Sequence, residues 1–148
     1  MTRITHLLAG AAIGGFFGEY GILAGAIGGI LPDIDLRLFG ESKDFEWHLF
    51  KHRGITHTLL FAFAISAGVF IYLSKYHYQI LALVVLLALL SHMALDSLNF
   101  QEEKPFYPIK TGVCFKILKV GTIQEYLLVT LPLFLIFVEI LINEGGRP

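Results

Sequence analysis

The sequence predicts an all-α, polytopic membrane bundle: a short Gly-rich N-terminal helical hairpin plus three transmembrane helices, in a single integral membrane domain over residues 1–148. Three observations carry this reading. Hydrophobic residues make up 55% of the 148 and charged residues only 16%, where a soluble domain has about 25% charged. The mean hydropathy is +0.70. The apolar residues also run in long blocks broken by two polar connections, and do not alternate with polar positions. A net charge of -1 gives no indication of nucleic acid or of an acidic partner, and no nucleic-acid partner is expected. The single cysteine, Cys114, excludes an internal disulfide and a multi-cysteine metal site, and reads as a free thiol. The first block stays apolar well beyond any small-residue cleavage point near Gly14 or Gly18, so it reads as retained.

The first apolar block runs from Leu7 to Leu31 and is broken by Gly18-Glu19-Tyr20-Gly21. It is either one tilted span with a buried Glu19 or two short helices turning at that tetrapeptide. Gly10, Gly14 and Gly18 recur every fourth residue, as do Gly21, Gly25 and Gly29. This spacing lets two helix backbones approach closely in lipid, which favours the hairpin. The later blocks, Thr58–Ser74, Tyr78–Leu95 and Thr122–Ile142, each reach the roughly 17–25 residues that a bilayer core requires of a helix.

The polar connections, Pro32–His57 and Asp96–Gly121, lie on one side if the middle two blocks each cross once. They hold most of the Lys and Arg, and the hairpin adds Arg3 to that side, leaving only Lys75 and Arg147 opposite. The positive-inside rule then places both connections in the cytoplasm.

Four short motifs sit where apolar block meets polar connection: Thr5-His6, Pro32-Asp33-Ile34-Asp35, His52-Arg53-Gly54-Ile55-Thr56-His57, and Ser91-His92-Met93-Ala94-Leu95-Asp96. With the first block folded as a hairpin, all four reach one membrane face. His92 and Asp96 are four apart on a helix and share a face. Ionisable groups at membrane depth are costly and usually mark function, so the pair reads as a chelating unit, the alternative being an Asp that caps or orients a His near the interface. Asp33 and Asp35 repel one another unless a cation lies between them; the alternative is a solvated Pro-Asp turn. Gly54 permits a turn that folds His52 over His57, with Thr56 as the expected N-cap of the next helix. Arg53 offers a planar fork for phosphate or carboxylate, although Lys51 to Arg53 would also serve as a basic loop against lipid head groups. His6 gains weight only through the hairpin. Glu125, at the cytoplasmic start of the last block, is a weaker candidate for ligand or base. Glu19 and Glu139 lie toward the opposite face, and His48 and His77 are set aside.

Together the runs Thr5-His6-Leu7-Leu8-Ala9-Gly10, Leu31-Pro32-Asp33-Ile34-Asp35, His52 to His57 and Ser91 to Asp96 resemble the YdjM-like family of inner-membrane proteins, described as predicted metal-dependent hydrolases with a distant relationship to zinc-dependent phospholipase C. The resemblance covers the chain from its start to about Pro108. It implies metal ligands at His6, Asp33, Asp35, His52, His57, His92 and Asp96. Thr58 stands where the family often has Ser, and Ser97-Leu98-Asn99 stands where it often has Thr and then Gly.

The resulting expectation is a multi-pass protein of the cytoplasmic membrane that hydrolyses a phosphoester or phospholipid-like substrate, the site facing the cytoplasm. It would use two or more divalent metal ions, zinc first and manganese or iron as alternatives. Arg53 would stabilise developing negative charge, and Asp35 would serve in proton transfer. Membrane lipid is the expected partner, with a lipid-linked phosphoester as substrate; the oligomeric state is left open. The alternatives are a divalent-cation transporter or sensor, and a noncatalytic membrane scaffold with a structural metal.

Overall fold

The structure, a computed structural model, describes residues 1–34, 54–107, 109 and 111–145. Among the described residues the regular structure is all helical, with an isolated antiparallel bridge between Glu103 and Val113 and no strand.

The first block folds as the hairpin. Helix α1 (Arg3–Gly15) and helix α2 (Glu19–Ile30) are joined through Phe16 and Phe17 to Gly18, which has φ 81°. That backbone conformation costs glycine nothing and an L side chain appreciably more. The two helices meet along their glycines: a methyl group at Gly10 would overlap the carbonyl oxygen of Gly25, and one at Gly14 would overlap that of Gly21. The four-residue periodicity thus produces backbone-to-backbone contact. Pro32, with no N–H to donate, turns the chain out of α2 through a 3-10 turn at Leu31–Asp33.

A second 3-10 turn, Ile55–His57, precedes helix α3 (Leu59–Ser74). The N-cap is Thr58, whose hydroxyl accepts from Phe61 N at 3.1 Å, and not Thr56 as the sequence suggested. His57 therefore lies in the turn before the helix and not in its first turn. Helix α4 (Ile80–Ser97) follows. Helix α5 begins α-helical at Ile123–Glu125, widens into a π-turn at Tyr126–Thr130 and continues at Leu131–Gly145. Pro132 explains the widening, since its ring would strike the carbonyl four residues back, at Leu128, inside that turn.

Helix α4 is the hub, packing against α1, α2 and α3, while α5 lies against α1. The core cluster is Ala62 of α3 with Val85, Leu89 and Met93 of α4. At one end the hairpin turn meets the α3–α4 turn, with the rings of Tyr20 and Tyr78 5.6 Å apart. Tyr72, Tyr76 and Lys75 gather near by, an aromatic belt of the kind found at membrane interfaces. The opposite end carries the second polar connection, where Pro105 O accepts from Leu59 N at 2.9 Å.

Among the described residues two helices, not the expected three, are long and apolar enough to span a bilayer: Ile80–Ser97, 18 residues, and Ile123–Asn143, 21 residues. With Thr58 extended as its cap, α3 is reduced to 16 residues, about 24 Å at 1.5 Å per residue against a core of about 30 Å. Only 11% of the α5 span is buried, at a hydropathy of 2.2. Water would not tolerate so continuous an apolar surface, so α5 is not the core helix of a soluble fold.

Candidate metal centre

The end away from the aromatic belt brings five of the sequence-derived candidates together. His6 comes from α1, Asp33 from the turn after α2, His57 from the turn before α3, and His92 and Asp96 from α4. All five are buried, the three histidines completely. The i, i+4 spacing sets His92 Nε2 3.9 Å from Asp96 Oδ2. His57 Nε2 lies 3.2 Å from His92 Nε2 and 4.0 Å from Asp96 Oδ2. Asp33 Oδ1 is 3.8 Å from His92 Nε2 and 3.9 Å from His57 Nε2. His6 stacks on His92 with centroids 3.7 Å apart, and its Nε2 is 2.9 Å from Asp96 Oδ1. The Met1 amino group meets the same carboxylate oxygen.

The donor chemistry fits a divalent cation. His92 Nδ1 is 2.7 Å from the carbonyl oxygen of Gly29. A carbonyl can only accept, so Nδ1 carries the proton and the neutral ring presents a lone pair at Nε2. Thr56 Oγ1, 3.0 Å from His57 Nδ1, can hold His57 in the same tautomer. The triangle of His57 Nε2, His92 Nε2 and Asp96 Oδ2, with sides of 3.2, 3.9 and 4.0 Å, encloses a point about 2.2 Å from each corner, close to zinc's usual reach of about 2.0–2.2 Å to nitrogen and oxygen. His6 Nδ1 is a buried ring nitrogen with no hydrogen-bond partner, an expensive arrangement unless something else engages it.

Among the described residues two groups can hold an ion, His6 with Asp33 and His92, and His57 with His92 and Asp96. Both use His92, and Gly29 leaves that ring a single free nitrogen. One ion at a time can therefore use it, and a second ion requires further donors. The expected ligands Asp35 and His52, and the expected anion fork Arg53, lie outside the described residues.

Glu125 does not join the cluster. Its Oε1 accepts from Thr2 N at 2.5 Å and Thr5 Oγ1 at 2.9 Å, and its Oε2 accepts from Gly121 N at 2.8 Å. Thr5 Oγ1 also pairs with Thr130 Oγ1 in the π-turn at 2.9 Å. This buried network fixes the start of α1, and hence His6, against α5. Glu19 and Glu139 are exposed. Sequence reasoning missed the supporting roles of Thr5, Thr56 and the Gly29 carbonyl. Thr56 stands beside a candidate ligand, and Gly29 belongs to the glycine series, so both carried a signal that was legible only as packing or capping.

The profile of the YdjM inner membrane protein family matches residues 1–145. The chain belongs to that family. No curated protein and no solved structure shows significant similarity to it. The YdjM match covers α1 to α5, the helices among the described residues. In this family member, a buried His/Asp cluster able to hold a metal ion lies at the end of one candidate membrane helix, α4.

Proposed function

We propose that this YdjM-family protein is a membrane-bound metal-dependent hydrolase acting on a phosphoester at the cytoplasmic face, with zinc as the preferred ion. One observation carries the reading: three imidazoles and two carboxylates from four separate segments converge in a buried cluster. Burying so many ionisable groups is costly unless they are paired or bind a cation.

His57, His92 and Asp96 would hold the ion, with His6 and Asp33 as the second donor pair. A bound divalent ion supplies Lewis-acid polarisation of a phosphoryl oxygen and activation of water. The protein's own groups would do the rest. Arg53 would pair with the anionic phosphate and offset charge that develops on it. Asp35 would hold or release the transferred proton. The burial of the cluster keeps bulk water away and strengthens each of these interactions. The Lys and Arg excess on the connections supports a cytoplasmic site. Asp35 and His52 are the donors that a second ion would need. Glu19 and Glu139, which could extend a transport path, are exposed.

A noncatalytic protein with a structural metal is the second reading, favoured by the complete burial of His6, His57 and His92. Elemental mass spectrometry of the detergent-purified chain, beside a His92→Ala, Asp96→Ala double variant, tests the centre. Stoichiometric metal that is lost in the variant supports it and selects the ion for a phosphoester screen. Bound metal with no turnover of any phosphoester favours the structural role. No metal after reconstitution with zinc, manganese and iron removes both readings.

A further inference from the structure

A groove of about 420 Å³ opens on the outer side of the hairpin, lined by Arg3, Ile4 and Leu7 of α1, by Ile27 and Ile30 of α2, and by Leu31, Asp33 and Ile34 beyond it. Its size is that of a small-molecule site, about 300–1,000 Å³. Its walls are apolar and open outward: Ile4, Leu7, Ile27, Ile30 and Ile34 are all exposed. Its polar end is different. Asp33, one of the candidate ligands, forms part of the lining there, and Arg3 stands at the same end with no ion pair among the described residues. The groove is therefore continuous with the metal centre through a single side chain.

We infer that this groove receives an acyl chain of a phospholipid carrying an anionic phosphate, and that Arg3 binds the phosphate beside Asp33. The inference rests on the hydrolase reading and names its substrate class: a lipid phosphoester entering sideways from the bilayer. Charge complementarity selects this occupant. An apolar trough alone would accept any hydrocarbon, but one that ends at a guanidinium with no ion pair among the described residues, next to a candidate cation ligand, favours a chain with a phosphate at its head. Leu7 follows Ile4 by three positions, and Ile30 follows Ile27 by three, so each helix presents one continuous apolar face to the chain. The glycine seam holds the two faces together.

The test uses the full chain in phosphatidylcholine nanodiscs doped with phosphatidic acid. Native mass spectrometry reads the lipid retained per chain, and elemental analysis reads the metal. Phosphatidic acid should be retained in preference to phosphatidylcholine. Arg3→Gln should weaken that preference about tenfold, the effect of losing about one charge-assisted hydrogen bond. Ile27→Trp, which fills the groove, should abolish retention, whereas Ile71→Trp on the exposed face of α3 should not. Metal content should be the same in all. Retention that neither groove variant alters, with metal intact, would overturn the groove and leave the hydrolase reading standing. Groove-dependent retention by a chain that never takes up metal would overturn the hydrolase, and with it the substrate role, leaving a lipid-binding site. Equal retention of the two lipids would overturn the phosphate-binding role of Arg3.

Discussion

The Nδ1–H of His92 donates to the carbonyl oxygen of Gly29 across 2.7 Å, joining α4 to the end of the glycine hairpin. This bond fixes the tautomer and aims Nε2 at the cluster, the arrangement by which an outer hydrogen bond orients a metal-binding imidazole. Since both possible ligand groups include His92, His92→Ala should abolish stoichiometric metal. His6→Ala and His57→Ala each disrupt one group and should leave weaker, measurable binding. Calorimetric titration with zinc distinguishes the three variants, and a His92→Ala protein that binds as tightly as wild type would refute the shared role.

Thr56 sits 3.0 Å from His57 Nδ1 and holds the other imidazole of the triangle. Thr56→Val keeps the shape and removes the hydroxyl. Zinc affinity should fall about 10–100-fold, the usual effect of losing an outer-shell partner. Thr56→Ser should restore most of it.

The glycines divide by what surrounds them. A methyl group at Gly25 would overlap the Gly10 carbonyl oxygen, whereas one at Gly68 would meet nothing within 4 Å. Gly25→Ala should lower stability by about 1–3 kcal/mol through overpacking and reduce metal content with it. Gly68→Ala should raise stability by about 0.5–1 kcal/mol, because glycine is a poor residue for a helix interior. Thermal unfolding in detergent reads both changes; a neutral Gly25→Ala would mean that the helices are not in backbone contact.

Metal removal should destabilise the fold. An ion that binds only the folded chain adds about 2.7 kcal/mol when present at 100 times its dissociation constant. Chelation should therefore lower the midpoint of thermal unfolding, and zinc should restore it. An unchanged midpoint after verified removal would mean that the donors hold together without a cation.

Cys114 reports orientation. It lies in the second polar connection, half-buried, with Sγ 3.0 Å from Asn99 O. A membrane-impermeant maleimide should modify it in inverted membrane vesicles and not in intact cells. The reverse pattern would place the metal cluster on the outer side and overturn the charge-bias assignment.

Much of this molecule was legible in its sequence where the signal is local. Gly10, Gly14, Gly21 and Gly25 announce close packing by spacing alone, and His92 with Asp96 announces a shared helix face. Block boundaries were less legible: Thr58 and Thr56 are both hydroxyls before an apolar run, and tertiary contacts decide which one caps α3. That choice of cap takes α3 below the length of a span. Glu125 was legible only as an acidic residue near the membrane face. Its occupation by Thr2 and Thr5 depends on α1 lying against α5, a contact between residues more than a hundred positions apart, whereas Gly121 N donates from four positions back. The acceptor role of the Gly29 carbonyl has the same origin, since backbone atoms carry no residue-specific mark.

The hairpin also has a bearing on biogenesis. Its arms hold 13 and 12 residues, about 20 Å and 18 Å of helix, so neither arm can cross a bilayer alone. Any entry into a membrane would have to bring them in as a pair, packed glycine to glycine. His6 is carried by one arm, and the carbonyl that aims His92 by the other. A slip of one helical turn between the arms, about 5.4 Å, would part His6 from Asp33 and so break one of the two donor groups. An ion held through His6 and Asp33 would therefore report a correctly paired hairpin.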